Sequence, residues 1–253
     1  MDEIKDITDA EFNDISIRTK FSKEKLRKDY YLTSILYVIK NVEGIYFKGG
    51  TALNKIFLDH ARLSEDIDFS LTKNEKEVQK EIIPILKNLK MVKEITEGKS
   101  VDGLVRIIVK CNSEIGESEI FIDLNKRAKL SLPPEEHEIQ HFYKPFIPKF
   151  SIPTIAKEEL TSEKVAAAIG RNKPRDHYDV YMIIKKGFPL NMKLVQKKCL
   201  ESKNEFSIIK MFNRASLLKK RWDQDMISLI AEPITFQEVM QYLAKKFKLK
   251  EEK

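Results

Sequence analysis

Residues 45–71 read IYFKGGTALNKIFLDHARLSEDIDFSL, and their order decides how the rest of the chain is read. The chain's single Gly-Gly pair, Gly49-Gly50, lies between a short β-like run (45–48) and a helix-like run (52–58). Thr51, directly after the pair, is placed to cap that helix by accepting from its first free N–H groups. A glycine turn opening a helix gathers backbone N–H donors and the positive end of the helix dipole in one place, an arrangement suited to phosphate. Further along, Asp66-Ile67-Asp68-Phe69 has the alternation of a strand, with both carboxylates on one face and both apolar residues on the other. Paired carboxylates are hard oxygen donors suited to Mg²⁺ or Mn²⁺. A phosphate cradle beside metal carboxylates implies nucleotide chemistry.

A P-loop is excluded by position. Gly44, Gly49, Gly50 and Thr51 fall one residue short of G-x-x-x-x-G-K-T, because Gly50 stands where the phosphate-binding lysine belongs. The β-like run also follows Gly44 instead of preceding it.

On the N-terminal side, residues 1–20 are polar and suit a short arm or helix. Residues 22–41 carry Leu26, Tyr30, Tyr37 and Val38 at helical spacing. On the C-terminal side, residues 75–89 form a second amphipathic helix through Val78, Ile82, Ile85, Leu86 and Leu89. Two strand-like runs follow, 104–110 and 118–124, separated by a polar turn. Asp123 in the second run has two readings: a polar residue on the wet side of a strand, or a third carboxylate delivered beside Asp66 and Asp68.

Residues 131–154 hold five of the nine prolines and predict a crossing between two domains. Inside this run, His137-Glu138-Ile139-Gln140-His141 satisfies the zinc-protease pattern H-E-x-x-H. That pattern needs a settled helix to bring both imidazoles to one metal, and the prolines on either side make a chance match the better reading. Beyond the prolines the chain is helical. Residues 158–171 are rich in helix formers, with Lys164 and Arg171 on one face. The small residues beside Lys164 (Ala166, Ala167, Ala168 and Gly170) leave two readings: a solvated lysine on a helix that packs tightly through them, or a lysine with room for a ligand beside it. Pro174 opens the next helix, in which Asp176 and Asp179 share a face and Val180, Ile183 and Ile184 turn inward.

At 253 residues the chain is long enough for one large domain or two modest ones, and 42% hydrophobic with 34% charged residues describes a soluble globular protein. The two cysteines are far apart and fit no metal spacing, the opening residues MDEIKDITDAEF lack a leader's apolar core, and no apolar run suits a membrane span. A cytoplasmic location is expected. The net charge of +7 favours an anionic partner.

The wording KGGTAL…RLSEDIDF, followed by EKVAAAIGRNKPRDHYDVY, resembles the AbiEii/AbiGii toxin family of nucleotidyltransferases, which have the polymerase-β-type nucleotidyltransferase fold. The resemblance covers roughly residues 25–225. It implies an α+β protein with an N-terminal nucleotidyltransferase domain (1–150), built on a mixed sheet with helices. A helical C-terminal domain (151–253) would complete the active-site cleft. By the family's motifs, Gly49, Gly50 and Thr51 match the phosphate-binding turn, and Asp66 and Asp68 the metal carboxylates. Lys164 matches the basic residue of the helical half and is expected to reach the triphosphate. Arg171 would neutralise leaving pyrophosphate, Asp176 and Asp179 match the R-D-x-x-D segment, and Asp123 is the third-acid candidate. The implied cofactor is Mg²⁺ or Mn²⁺. The implied partners are a nucleoside triphosphate, an RNA acceptor such as tRNA, and a cognate antitoxin, with no membrane. The rival class is a catalytically silent nucleotide- or RNA-binding module of the same fold.

Overall fold

The computed structural model describes residues 4–127, 129–171 and 173–248. The chain divides into two compact units, Met1–Ala156 and Lys157–Lys253. The α+β class expected from the sequence is what the structure has: a mixed sheet with helices in the first unit and, among the described residues, helices alone in the second.

The first unit begins with α1 (Asp9–Thr19) and α2 (Lys23–Ile39). Thr8 and Glu11 form a reciprocal capping box at the start of α1, and Ser22 caps α2 by accepting from the Lys25 N–H. The seven strands are β1 (Ile45–Lys48), β2 (Asp66–Leu71), β3 (Val92–Val101), β4 (Leu104–Ser113), β5 (Gly116–Asn125), β6 (Glu135–Glu138) and β7 (Ser151–Thr154). They lie in the order β3-β4-β5-β2-β1-β7-β6. The β2–β5 and β1–β7 pairs are parallel and the others antiparallel.

Strand alternation separates the two faces of this sheet. Ile67, Phe69, Val105, Ile107, Val109, Ile120, Ile122 and Leu124 are buried. α2 and α4 (Glu75–Lys87) both pack on β5, and they bring Leu32, Ile35, Leu36, Val78, Ile82 and Leu86 into the core. Burying each such side chain contributes roughly 1.5–3 kcal/mol. The residues between them, Asp66, Asp68, Phe121, Asp123 and Arg106, remain half-buried. The polar face of the sheet is where chemistry can occur.

The proline-rich run corrects an expectation. It is no crossing between domains, because β6 and β7 within it pair with each other and β7 joins the sheet beside β1. Between these strands Tyr143 is fully buried and donates to Leu26 O at 2.9 Å, pinning the loop to α2. The H-E-x-x-H segment has no helix. His137 lies on β6 and pairs with Glu135 at 2.7 Å, whereas His141 is buried in the following loop.

The second unit comprises α5 (Lys157–Arg171), α6 (Pro174–Lys185), α7 (Met192–Glu201), α8 (Ala215–Met226) and α9 (Phe236–Lys246). Pro174 occupies the first turn of α6, where its missing N–H is not needed. α5 packs on α6 and α7, and α6 on α8 and α9.

Candidate active site

The Gly-Gly turn folds differently from the expected cap. The helix begins at Gly49 itself, so α3 (Gly49–Ala52) includes Thr51 as an interior residue. Instead of capping, the buried Thr51 hydroxyl donates to Asp66 O at 2.5 Å and ties this turn to β2. α3 passes directly into a π-helical turn, Leu53–Phe57, closed by Leu58 N–H donating to Leu53 O at 3.1 Å. Such π turns are frequent at functional sites. Asn54 then staples the turn at both ends. Its Nδ2 donates to Gly50 O at 3.0 Å, and its Oδ1 accepts from the Arg62 N–H at 3.1 Å. Arg62 is itself buried and donates to Leu63 O at 2.9 Å.

Gly49 has φ +79°, a left-handed conformation that glycine adopts without strain. The space around it is equally demanding. A Cβ at this position would lie 2.2 Å from Asp68 Oδ2. The absent side chain is therefore what lets the helix start approach the Asp68 carboxylate.

The sheet register completes the arrangement. Arg106 pairs with Asp123 across β4–β5, Asp123 with Asp68 across β5–β2, and Asp68 with Lys48 across β2–β1. Paired residues share a face, so the four side chains form one transverse row reading plus, minus, minus, plus. Adjacent carboxylates repel, and the flanking cations offset that repulsion. One row along, Asp66 pairs with Phe121.

Asp123 is held tightly. Arg106 Nε donates to its Oδ1 at 2.7 Å and Nη2 to its Oδ2 at 2.6 Å, a two-pronged ion pair. The guanidinium pKa is raised further above its usual range, first by the Asp123 hydrogen bonds and, more weakly, by Asp66 and Asp68. Arg106 also lies over the Phe121 ring, 5.0 Å from its centroid, with Lys28 at 5.5 Å.

Asp66 and Asp68 offer hard oxygens on one face, opposite a backbone cradle that any side chain at residue 49 would fill. This donor set fits a single Mg²⁺ or Mn²⁺ that keeps several waters. Among the described residues, no three His, Cys, Asp or Glu side chains converge as a metal cage.

Within the helical unit, Lys164, Arg171, Asp176 and Asp179 come together. Lys164 Nζ lies 3.2 Å from Asp176 Oδ1 and 3.0 Å from Asp179 Oδ2. Arg171 grips Asp176 with two hydrogen bonds, at 2.7 and 2.9 Å. Burial pushes the Asp176 carboxyl up, but Lys164 and Arg171 outweigh it and hold the carboxyl well below the usual range. The Lys164 side chain is only 6% exposed, against 52% for Arg171. The neighbouring small residues are packed, not open: Ala166 and Ala168 are buried, and a Cβ on Gly170 would lie 2.5 Å from the Asn204 amide. Lys164 is therefore not the solvated lysine that its helix suggested.

A second buried network escaped the sequence reading. Lys55, on the π turn, pairs with Asp29 of α2 at 2.7 Å, and both side chains are almost wholly buried. Thr33 accepts from Lys55 at 2.9 Å, and Tyr143 donates to Asp29 at 3.1 Å. The signal available was a lysine at an otherwise apolar helical position, which usually marks a solvated surface.

A family model described as "Nucleotidyl transferase AbiEii toxin, Type IV TA system" matches residues 34–244. No curated protein matches the chain. Two crystal structures from Helicobacter pylori share its fold. One, of JHP933, is 17% identical over 90% of this chain and 92% of that one, with a TM-score of 0.60. The other, of a putative nucleotidyltransferase, is 18% identical over 90% and 95%, with a TM-score of 0.63.

Proposed function

This chain belongs to the AbiEii family of nucleotidyl transferase toxins, and on that premise we propose that it transfers a nucleotide from a nucleoside triphosphate to an RNA acceptor, of which tRNA is the leading class. The carrying observation is the approach of the Gly49 helix start to Asp68, with Asp66 on the same sheet face. Mg²⁺ or Mn²⁺ held by Asp66 and Asp68 would neutralise triphosphate charge and acidify the acceptor hydroxyl. The first N–H groups of a helix lack intrahelical partners, so Gly49 and Gly50 supply donors to a phosphate. Thr51 and Asn54 act behind them, through bonds that fix the turn to β2 and to Arg62.

In the helical unit, Arg171 is the cluster's exposed cation and the group we assign to nucleotide phosphate. Lys164 acts one step back: it and Arg171 keep Asp176 ionised, and Asp176 orients the Arg171 fork. Asp179 shares the Lys164 ammonium. The net charge of +7 suits a polyanionic acceptor. The family's Type IV toxin–antitoxin description supports reading this chain as the toxin of a pair, with a cognate antitoxin as partner. No described helix is long and apolar enough to cross a membrane.

The test is incubation with each α-labelled nucleoside triphosphate, Mg²⁺ and total cellular RNA. Labelled RNA is expected from the native protein. Asp68→Asn preserves shape while removing a charge, and transfer should fall at least ~100-fold, about 2.7 kcal/mol of transition-state stabilisation. Near-normal transfer by Asp68→Asn would place the centre elsewhere, and absence of label with all four triphosphates would remove the RNA acceptor.

A further inference from the structure

The two-pronged Arg106–Asp123 pair lies inside the transverse row of charges, and nothing in the chemistry above uses it. A third acid beside Asp66 and Asp68 would ordinarily enlarge the metal site. Three convergent carboxylates can hold two divalent ions about 3.5–4 Å apart, whereas two carboxylates suit one. Asp123 is in register with Asp68 on the adjacent parallel strand, so position does not keep it out of the site. Its engagement does, because each carboxylate oxygen accepts a short charge-assisted bond from Arg106.

We propose that Arg106 is a positioning residue that withholds Asp123 from the metal site, so that this face binds one divalent ion instead of two. Arg106 is anchored for that role. It is directly opposite Asp123 in the β4–β5 register, and its guanidinium lies against the Phe121 ring. Its charge also occupies the place on the row where a second cation would neutralise Asp123. The Arg106 side chain is 39% exposed and the Asp123 side chain 19%, so replacing Arg106 opens Asp123 to ions from solvent. The inference rests on the assignment of Asp66 and Asp68 as metal carboxylates.

Mn²⁺ binding to the full chain, followed by electron paramagnetic resonance of free Mn²⁺ into the millimolar range, tests it. The native protein should bind one equivalent, and Asp68→Asn should bind none with measurable affinity. Arg106→Met, which keeps a long apolar stem against Phe121, should bind two. The charge-balanced double variant Arg106→Met/Asp123→Asn should return to one, with affinity within about threefold of native. It also guards against a folding defect in the single variant, because it removes both partners of the pair. A single equivalent in folded Arg106→Met overturns the proposal, as does a tenfold weaker native-site affinity in the double variant, which would make Asp123 an existing ligand. Native protein that binds no Mn²⁺ overturns the carboxylate assignment instead.

Discussion

Replacing Lys164 with Met separates the structural view of this residue from a solvent-facing one. The side chain is 6% exposed, and its ammonium lies 3.2 and 3.0 Å from two wholly buried carboxylates. A surface lysine could be removed for less than about 0.5 kcal/mol. Removing one partner from a buried ion cluster instead costs roughly 3–5 kcal/mol, because buried charge is left undercompensated. Asp176 keeps its Arg171 fork, so the lower end, about 3 kcal/mol, is expected here. The chain's single tryptophan, Trp222, is buried on α8 of the same helical unit and reports its unfolding by fluorescence. With a urea m-value of about 1–2 kcal/mol/M, the midpoint should fall by about 1.5–3 M. The pH dependence adds a control. A carboxyl held below its usual range stabilises the fold above its unfolded pKa of about 3.9, and that contribution is lost as pH falls toward the folded value. The gap between native and Lys164→Met protein should therefore narrow below about pH 4. A midpoint shift under about 0.3 M at neutral pH would refute the buried-cluster reasoning.

Gly49→Ala places a methyl 2.2 Å from Asp68 Oδ2 in a left-handed backbone, so transfer and Mn²⁺ binding should both collapse while stability falls by about 1–2 kcal/mol. Retained Mn²⁺ affinity would detach Gly49 from the site. Burial, then Lys55, lowers the pKa of both His60 and His141 to about 4. The unfolded chain takes up these protons near pH 6.5, so stability should erode as pH falls from 6.5 toward 4, by on the order of 3 kcal/mol per imidazole. The His60 Nε2 is buried without a hydrogen-bond partner, and His60→Phe should flatten this acid slope in thermal melts followed by circular dichroism. An unchanged slope would show that His60 is not titrating.

What could be read from the sequence was local in character. Gly49-Gly50 followed by Asp66-x-Asp68 is a short-range pattern, and strand alternation alone puts Ile67 and Phe69 in the core and both carboxylates opposite. The remainder depended on pairings between distant segments. Arg106 and Asp123 face one another only because β4 and β5 pair in one register, which a one-residue slip would undo. Lys55 reads as a surface residue until α2 brings Asp29 to it. Lys164 reads likewise until α6 returns Asp176 and Asp179 beside it. β3, with its alternating charges and irregular pairing to β4, carries too weak an apolar pattern to read as a strand, and prolines disguise β6 and β7. Thr51 shows a subtler limit, since a residue well suited to capping was taken instead by a backbone oxygen on the neighbouring strand.

The strand order has a consequence for how this protein behaves in a crowded cell. The sheet is open, with β3 and β6 at its ends, and an open end presents unpaired backbone groups to any extended segment that passes. β6 reads Glu135-Glu136-His137-Glu138, so an approaching strand meets a fence of carboxylates before it meets a hydrogen-bond donor. β3 carries Lys93, Glu94 and Glu97 along its length, and register shifts between residues 92 and 94 and between 97 and 100 break the straight ladder that a foreign strand would need. Charge guards one end, and charge with irregular pairing the other. Both devices discourage the edge-to-edge addition from which β-aggregates grow.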